Sequence, residues 1–195
     1  MSVPPQRVDG RTARSERTRN AIVTAHVTLI QNGDLRPTAD RIAKAAGVSL
    51  RALWSHFADM EALFAASGDR VLHRRDAGYV PVPPDLPLAE RIDAYCRQRA
   101  RMLEEIAPQA RASSLKEPFS PALLRYRRVH LARVREELRV LFAAELGDDA
   151  TLLDAVTAVS LWRTWDTWRT AMDLDADAAQ VTLTRTVTAL LSRRS

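Results

Sequence analysis

Residues 38–57, TADRIAKAAGVSLRALWSHF, constrain this chain more than any other stretch. Thr38 has the hydroxyl an N-cap needs, and Ile42, Ala43 and Ala46 then recur on one helical face. Gly47 marks the end of that helix, because glycine enters a left-handed backbone conformation without steric cost. Val48 fills the inside of the turn. Ser49 caps a second helix, whose Leu53 and Phe57, four apart, point back at the first. Two short helices, a glycine turn and one shared apolar seam make a helix-turn-helix, the second helix being the one presented to a DNA major groove.

The charge distribution points the same way. Residues 1–58 hold nine Arg or Lys against four acids, which is the whole net charge of +5, while residues 59–195 hold twenty of each sign. A basic end on a neutral body suits a double-stranded DNA reader joined to a part that does not touch nucleic acid. Only two of the 29 basic residues, Lys44 and Lys116, are lysine, which we read as base-composition bias. With 195 residues the chain can form one domain or two small ones and bury a real core. The single cysteine, Cys96, excludes an internal disulfide and fits a reducing compartment. No apolar run approaches the ~20 residues of a membrane span, and the polar N-terminus lacks a signal-peptide core. A soluble cytoplasmic protein without a membrane partner is expected.

Along the chain, residues 1–13, with Pro4, Pro5, Gly10 and scattered arginines, read as a basic arm, either a disordered tail or a DNA contact. A first helix over 15–31 follows, stopped by Asn32-Gly33, and Arg36-Pro37 links it to the helix-turn-helix. Asp59 caps a fourth helix to about residue 77, which leaves the basic end and enters the neutral body. Four prolines between 79 and 87 make a stiff connector. A helix over 88–106 is expected to stop at Pro108, and an irregular piece leads to Pro118. Ser120-Pro121 starts a helix to about residue 146, with Leu124, Leu131, Val134, Leu138 and Leu141 as its buried stripe. A helix over 149–172 is apolar on nearly every side, as a helix packed between its own core and a second subunit would be. A last helix covers 175–192. The fold class is all-α with about nine helices and no strand of any length.

The run Ile42-Ala43, Ala46-Gly47-Val48-Ser49, Leu53, an aromatic at 54, Phe57 and Glu61-Ala62-Leu63 resembles the N-terminal signature of the tetracycline-repressor (TetR) family of transcriptional regulators. The resemblance covers residues 15–64. It departs from the usual pattern at Trp54 (usually tyrosine), Ala52 (often threonine or serine) and Met60 (commonly a phosphate-contacting lysine), so those contacts do not carry over unchanged. The resemblance implies a DNA-binding domain over 1–58 and a ligand-binding and dimerisation domain over 59–195. It also implies a homodimer through the last two helices, reading a palindromic operator and released by a small apolar or aromatic effector.

Arg51 stands at the third position of the reading helix, where arginine can pair two donors with guanine O6 and N7 or hold a phosphate. Leu50 and Ala52 can pack on a thymine methyl. Trp54 can donate its indole N–H to a phosphate or pack under the helix. Arg17, Thr38, Ser49 and His56 complete the expected DNA-facing set. Trp162, Trp165 and Trp168 fan round half a helix. With Tyr95, Met102, Phe119 and Tyr126 they either line an aromatic pocket, where Arg99, His130 or Arg169 would anchor a polar group, or simply pack the core and dimer.

An enzyme is not expected. The four histidines have no metal-ligand spacing, and there is no phosphate-binding glycine loop and no glycine-flanked serine, so neither metal nor cofactor is expected. Cys96 reads as a packing residue, although Arg97 and Arg99 could lower its pKa. Two alternatives stay open: a ligand-binding or enzymatic helical protein with an incidental basic end, and a DNA-binding protein that senses nothing.

Overall fold

Local capping chemistry sets where most of the helices begin. In the structure, a computed structural model that describes residues 10–192, the hydroxyls or carboxylates of Thr38, Ser49, Asp59, Ser120, Asp149 and Asp175 each accept a backbone N–H three residues on. The helices are α1 (Gly10–Gln31), α2 (Ala39–Ala46), α3 (Leu50–His56), α4 (Met60–Gly78), α5 (Leu88–Lys116), α6 (Pro121–Leu141), α7 (Ala143–Leu146), α8 (Ala150–Val159), α9 (Trp162–Asp166) and α10 (Ala176–Leu191). A 3-10 turn, Glu117–Phe119, joins α5 to α6, and a π turn, Thr167–Ala171, extends α9. The described residues form no strand, and none of their helices is long and apolar enough to cross a membrane.

Two apolar cores hold these helices. The smaller is Ile22 and Val23 from α1, Ile42 and Ala43 from α2, Leu53 and Phe57 around α3, and Leu63 at the start of α4. The larger packs α5, α6, α8, α9 and α10 around Tyr95, Leu103, Val134, Leu138, Phe142, Val156, Trp165, Leu183 and Val187. Between the cores runs α4, laid against α6. At Gly68 a Cβ would stand 2.8 Å from a ring carbon of Tyr126, so glycine is what lets α4 and α6 approach this closely.

Several sequence expectations need correction. Helix α1 begins at Gly10, so residues 10–13 are helical; the rest of the expected arm, residues 1–9, lies outside the described residues. Pro108 does not end α5, which runs on to Lys116. Pro108 therefore lies inside the helix, where a proline costs ~3 kcal/mol, with Ala107 and Ala112 buried on either side of it. The helix expected over 120–146 breaks at Phe142, whose ring is buried edge-on against Tyr95, 5.8 Å between centroids. Leu124 and Leu131 are exposed, and Leu123 takes the buried position instead. A seven-residue spacing drifts round a straight helix, so that stripe ran off the core face.

The helix expected over 149–172 is two helices. Leu161 is extended, and the Ser160 carbonyl accepts from Arg99 Nε at 2.6 Å. The apolar side chains of this segment mostly turn into the chain's own core, where Val156 is 0% exposed. The outward face of α8 carries Thr151, Asp154 and Ala158. Cys96 is buried, and burial pushes its thiol up to about 12, against the lowering that neighbouring arginines had promised.

A second buried arginine closes α6. Arg91 donates to the Leu141 carbonyl at 2.8 Å and to both carboxylate oxygens of Glu145 at 2.6 and 3.0 Å. Arg91→Met should therefore cost about 3 kcal/mol, because the half-buried Glu145 and the buried Leu141 carbonyl both lose their partner. Urea denaturation of the two proteins measures the difference.

Candidate nucleic-acid interface and ligand cavity

Gly47 adopts φ 68° and ψ 30°, and the N–H of Val48 reaches back to the Ala43 carbonyl at 3.0 Å, which turns the chain sharply between α2 and α3. Leu53 and Phe57 are buried beneath α3, so its opposite face is left to solvent. That face presents Ser49, Leu50, Arg51 and Trp54, all exposed, with Ala52 and His56 half-buried beside them. The Thr38 hydroxyl accepts from the Arg41 N–H at 3.3 Å and that of Ser49 from the Ala52 N–H at 3.1 Å. Each keeps its own proton free to donate. Arg17 is exposed on α1, and Arg19 lies with its guanidinium 4.5 Å from the centre of the Phe57 ring. Arg41 is held by Asp34 at 2.9 Å.

Arg51→Ala should cost about 1–3 kcal/mol on a cognate duplex and relax preference at one base position per half-site. A uniform loss across all sequences, measured by fluorescence anisotropy, would instead assign Arg51 to a phosphate.

A cavity of about 200 Å³ lies where α1, α4, α5, α6 and α9 meet. Tyr126, His130 and Trp162, three of the residues expected around a ligand, line it. The others are elsewhere. Trp165 is 1% exposed in the larger core, its indole N–H donating to Glu104 at 2.7 Å, and Arg169 donates to the same carboxylate at 2.9 Å. Burial pushes the Glu104 carboxyl up, but these two donors outweigh it and hold it below the usual range. Arg99 serves the α8–α9 break, with Met102 beside its guanidinium; Tyr95 packs on Phe142, and Phe119 is 87% exposed.

The cavity wall also includes residues that sequence reasoning passed over. His26 on α1 stacks on Phe64 of α4, 5.8 Å between centroids, and its Nδ1 lies 2.8 Å from the Ser67 hydroxyl. Lys116 at the end of α5 places its ammonium 4.6 Å from the centre of the same Phe64 ring. Glu117 accepts from Arg127 at 2.8 Å and from Arg163 at 3.0 Å. Two signals were there to be read: a histidine inside the apolar seam of α1, and the small pair Ser67-Gly68 in mid-helix. Among the described residues no three His, Cys, Asp or Glu side chains gather as a metal site.

Burial, reinforced by Lys116, lowers the pKa of His26 from 6.5 to about 4. The unfolded chain takes up that proton near pH 6.5 and the folded chain resists until about pH 4. The contribution is therefore complete above pH 6.5 and is lost as pH falls between the two values. About 2 kcal/mol of stability should disappear between pH 7 and pH 5 in the parent protein. A His26→Gln chain should lack this component in parallel urea titrations.

A helix-turn-helix head carried on a larger helical body, with a cavity between its helices, defines the structural class. Residues 22–67 match the family model described as bacterial regulatory proteins, tetR family. Among solved structures, a putative TetR-family transcriptional regulator from Mesorhizobium loti superposes with a TM-score of 0.67 at 19% identity, covering 92% of this chain and 97% of its own. A transcriptional regulator from Rhodococcus sp. Rha1 gives 0.63 at 21% identity, covering 91% and 96%. NalD, the secondary repressor of the MexAB-OprM multidrug efflux pump in Pseudomonas aeruginosa, gives 0.54 at 22% identity, covering 94% and 100%. No curated protein sequence matches the chain. Residues 22–67 thus carry a tetR-family N-terminal region, on a fold that the chain shares with these regulators.

Proposed function

We propose that this protein is a cytoplasmic transcriptional repressor that binds a palindromic operator as a homodimer and is released by a small, mainly apolar ligand held in the cavity. One observation carries the proposal. The cavity is walled by His26, Val27 and Ile30 of α1 and by Phe64, Ser67 and Gly68 of α4, and both helices also build the smaller core under the reading helix. A ligand that changes the seating of α4 on α6 therefore acts directly on the support of α3. Similar structures support the class: NalD is a repressor, and EbrR is a multidrug binding protein complexed with imidazole.

In this reading residues 1–58 contact DNA, and residues 59–195 bind the ligand and the second subunit, with α1 lending part of the cavity wall. Arg17, Thr38, Ser49, Leu50, Arg51, Ala52, Trp54 and His56 form the DNA face. Tyr126, His130 and Trp162 are the expected ligand residues that we retain. We assign the dimer contact to the outer faces of α8 and α10, where Ala158, Val181 and Thr188 are exposed, with an interface of order 2,000 Å². The two reading helices of such a dimer would stand about 34–36 Å apart.

Footprinting on the cognate operator should protect two equivalent half-sites, and an inducing ligand should remove the protection. A Trp162→Leu chain should protect the same operator with near-parent affinity and need several-fold more ligand, because a stacked ring contributes about 0.5–1.5 kcal/mol beyond its buried area. An unchanged ligand requirement would move the pocket away from Trp162.

A further inference from the structure

We infer that the cavity takes a single-ring aromatic anion of the arylcarboxylate class, its carboxylate lying between Lys116 and His26. This rests on the ligand-binding reading above and adds the chemistry of the ligand. Size sets the first limit. A dry cavity of roughly 150 Å³ holds one benzene ring, so about 200 Å³ holds one ring with a short substituent. Phe64, Tyr126 and Trp162 supply aromatic walls for that ring.

Charge sets the second limit. The cavity's ionised groups are Lys116, Arg127, Arg163 and Glu117. Both oxygens of Glu117 already accept from the two arginines, so it is not available to a cationic guest. Lys116 differs: no carboxylate of the described residues lies within ion-pair distance of its ammonium, which rests instead on the Phe64 ring. Burial, and Arg36 nearby, hold its pKa below the usual lysine range, outweighing the opposite pull of Asp34.

His26 gives an independent observation. Its ring is 3% exposed, and Nε2 has no hydrogen-bond partner among the described residues, while Nδ1 is engaged by Ser67. With the Ser67 hydroxyl donating to Nδ1, the neutral ring carries its proton on Nε2, a buried donor without an acceptor. A buried donor left unmet is costly, and a carboxylate meets both it and the ammonium. A neutral ring would leave both unmet, and an ammonium ligand would face Lys116.

Calorimetric titration of the full chain with benzoate, benzamide and benzylamine tests this. Benzoate should bind about tenfold or more tighter than its neutral isostere benzamide, as a charge-assisted pair requires, and benzylamine should not bind. Lys116→Gln should erase the preference without weakening benzamide or changing the circular dichroism, and Lys116→Arg should keep most of it. Equal binding of benzoate and benzamide to the parent chain overturns the anion assignment and leaves the ring-binding cavity standing. A preference that survives in Lys116→Gln overturns it as well. If none of the three binds at millimolar concentration to a chain that still binds its operator, the cavity reading falls together with the inference.

Discussion

The seating of α4 on α6 is the contact on which the rest of the structure depends. At its N-terminal end Glu61 accepts from the Ser120 hydroxyl at 2.9 Å and from the Ala122 N–H at 3.1 Å, so the first turn of α4 is tied to the first turn of α6. Hydrogen bonds to a charged acceptor contribute about 1.5–3 kcal/mol, and the positive end of the α6 dipole adds to them. Two turns further on, Gly68 admits the Tyr126 ring against the α4 backbone. One end of the interface is thus polar and directional and the other is steric. That combination fixes the register of the two helices, where apolar contact alone would let them slide.

Buried arginines do the corresponding work inside the larger core. Arg91 takes the carbonyl freed where α6 ends, and Arg99 takes the one freed where α8 ends. A guanidinium suits both places, since it presents several donors in a fixed plane and stays charged. The consequence reaches the cavity. The break at Ser160 and Leu161 reorients the helix that follows, leaving Trp162 on the cavity wall under the Arg111 guanidinium while Trp165 and Trp168 stay in the core.

What could be read from sequence divides along sequence separation. The caps at Thr38, Ser49, Asp59, Ser120, Asp149 and Asp175 were legible because donor and acceptor are three residues apart. The helix-turn-helix was legible because Gly47 and the seam around Leu53 and Phe57 are local as well. The breaks at Phe142 and Ser160 were not, since each depends on an arginine 50 or 61 positions earlier. The same blindness hid which of the expected ligand residues share one cavity. Three tryptophans in one segment look equivalent in sequence, and only the break decides which of them leaves the core. Arg99 and Arg169 looked like anchors for a ligand because arginines between apolar residues need a partner, and the fold supplies those partners internally. Lys116 was set aside as one of two lysines spared by base composition, although its position at the end of a proline-bearing helix is what brings it to Phe64.

These separations also bear on how a ligand could act. The cavity is not enclosed by one core; its walls come from α1 and α4 on one side and α5, α6 and α9 on the other. A ligand that fits one relative placement of the two sides and not another has different affinities for the two conformers, and it can shift their balance by that difference and no more. With a single ring filling the cavity, the discriminating contacts are few: Phe64 moves with α4, Tyr126 with α6, Trp162 with α9 and Lys116 with α5. A coupling of 1–3 kcal/mol, the usual range, requires a change in only one or two of them. Glu61 sets the opposing term, because it holds α4 to the α6 N-terminus in whichever placement its two hydrogen bonds survive. Linkage is reciprocal, so a ligand that loosens DNA binding through α4 must itself be bound more weakly, by the same factor, when the operator is in place.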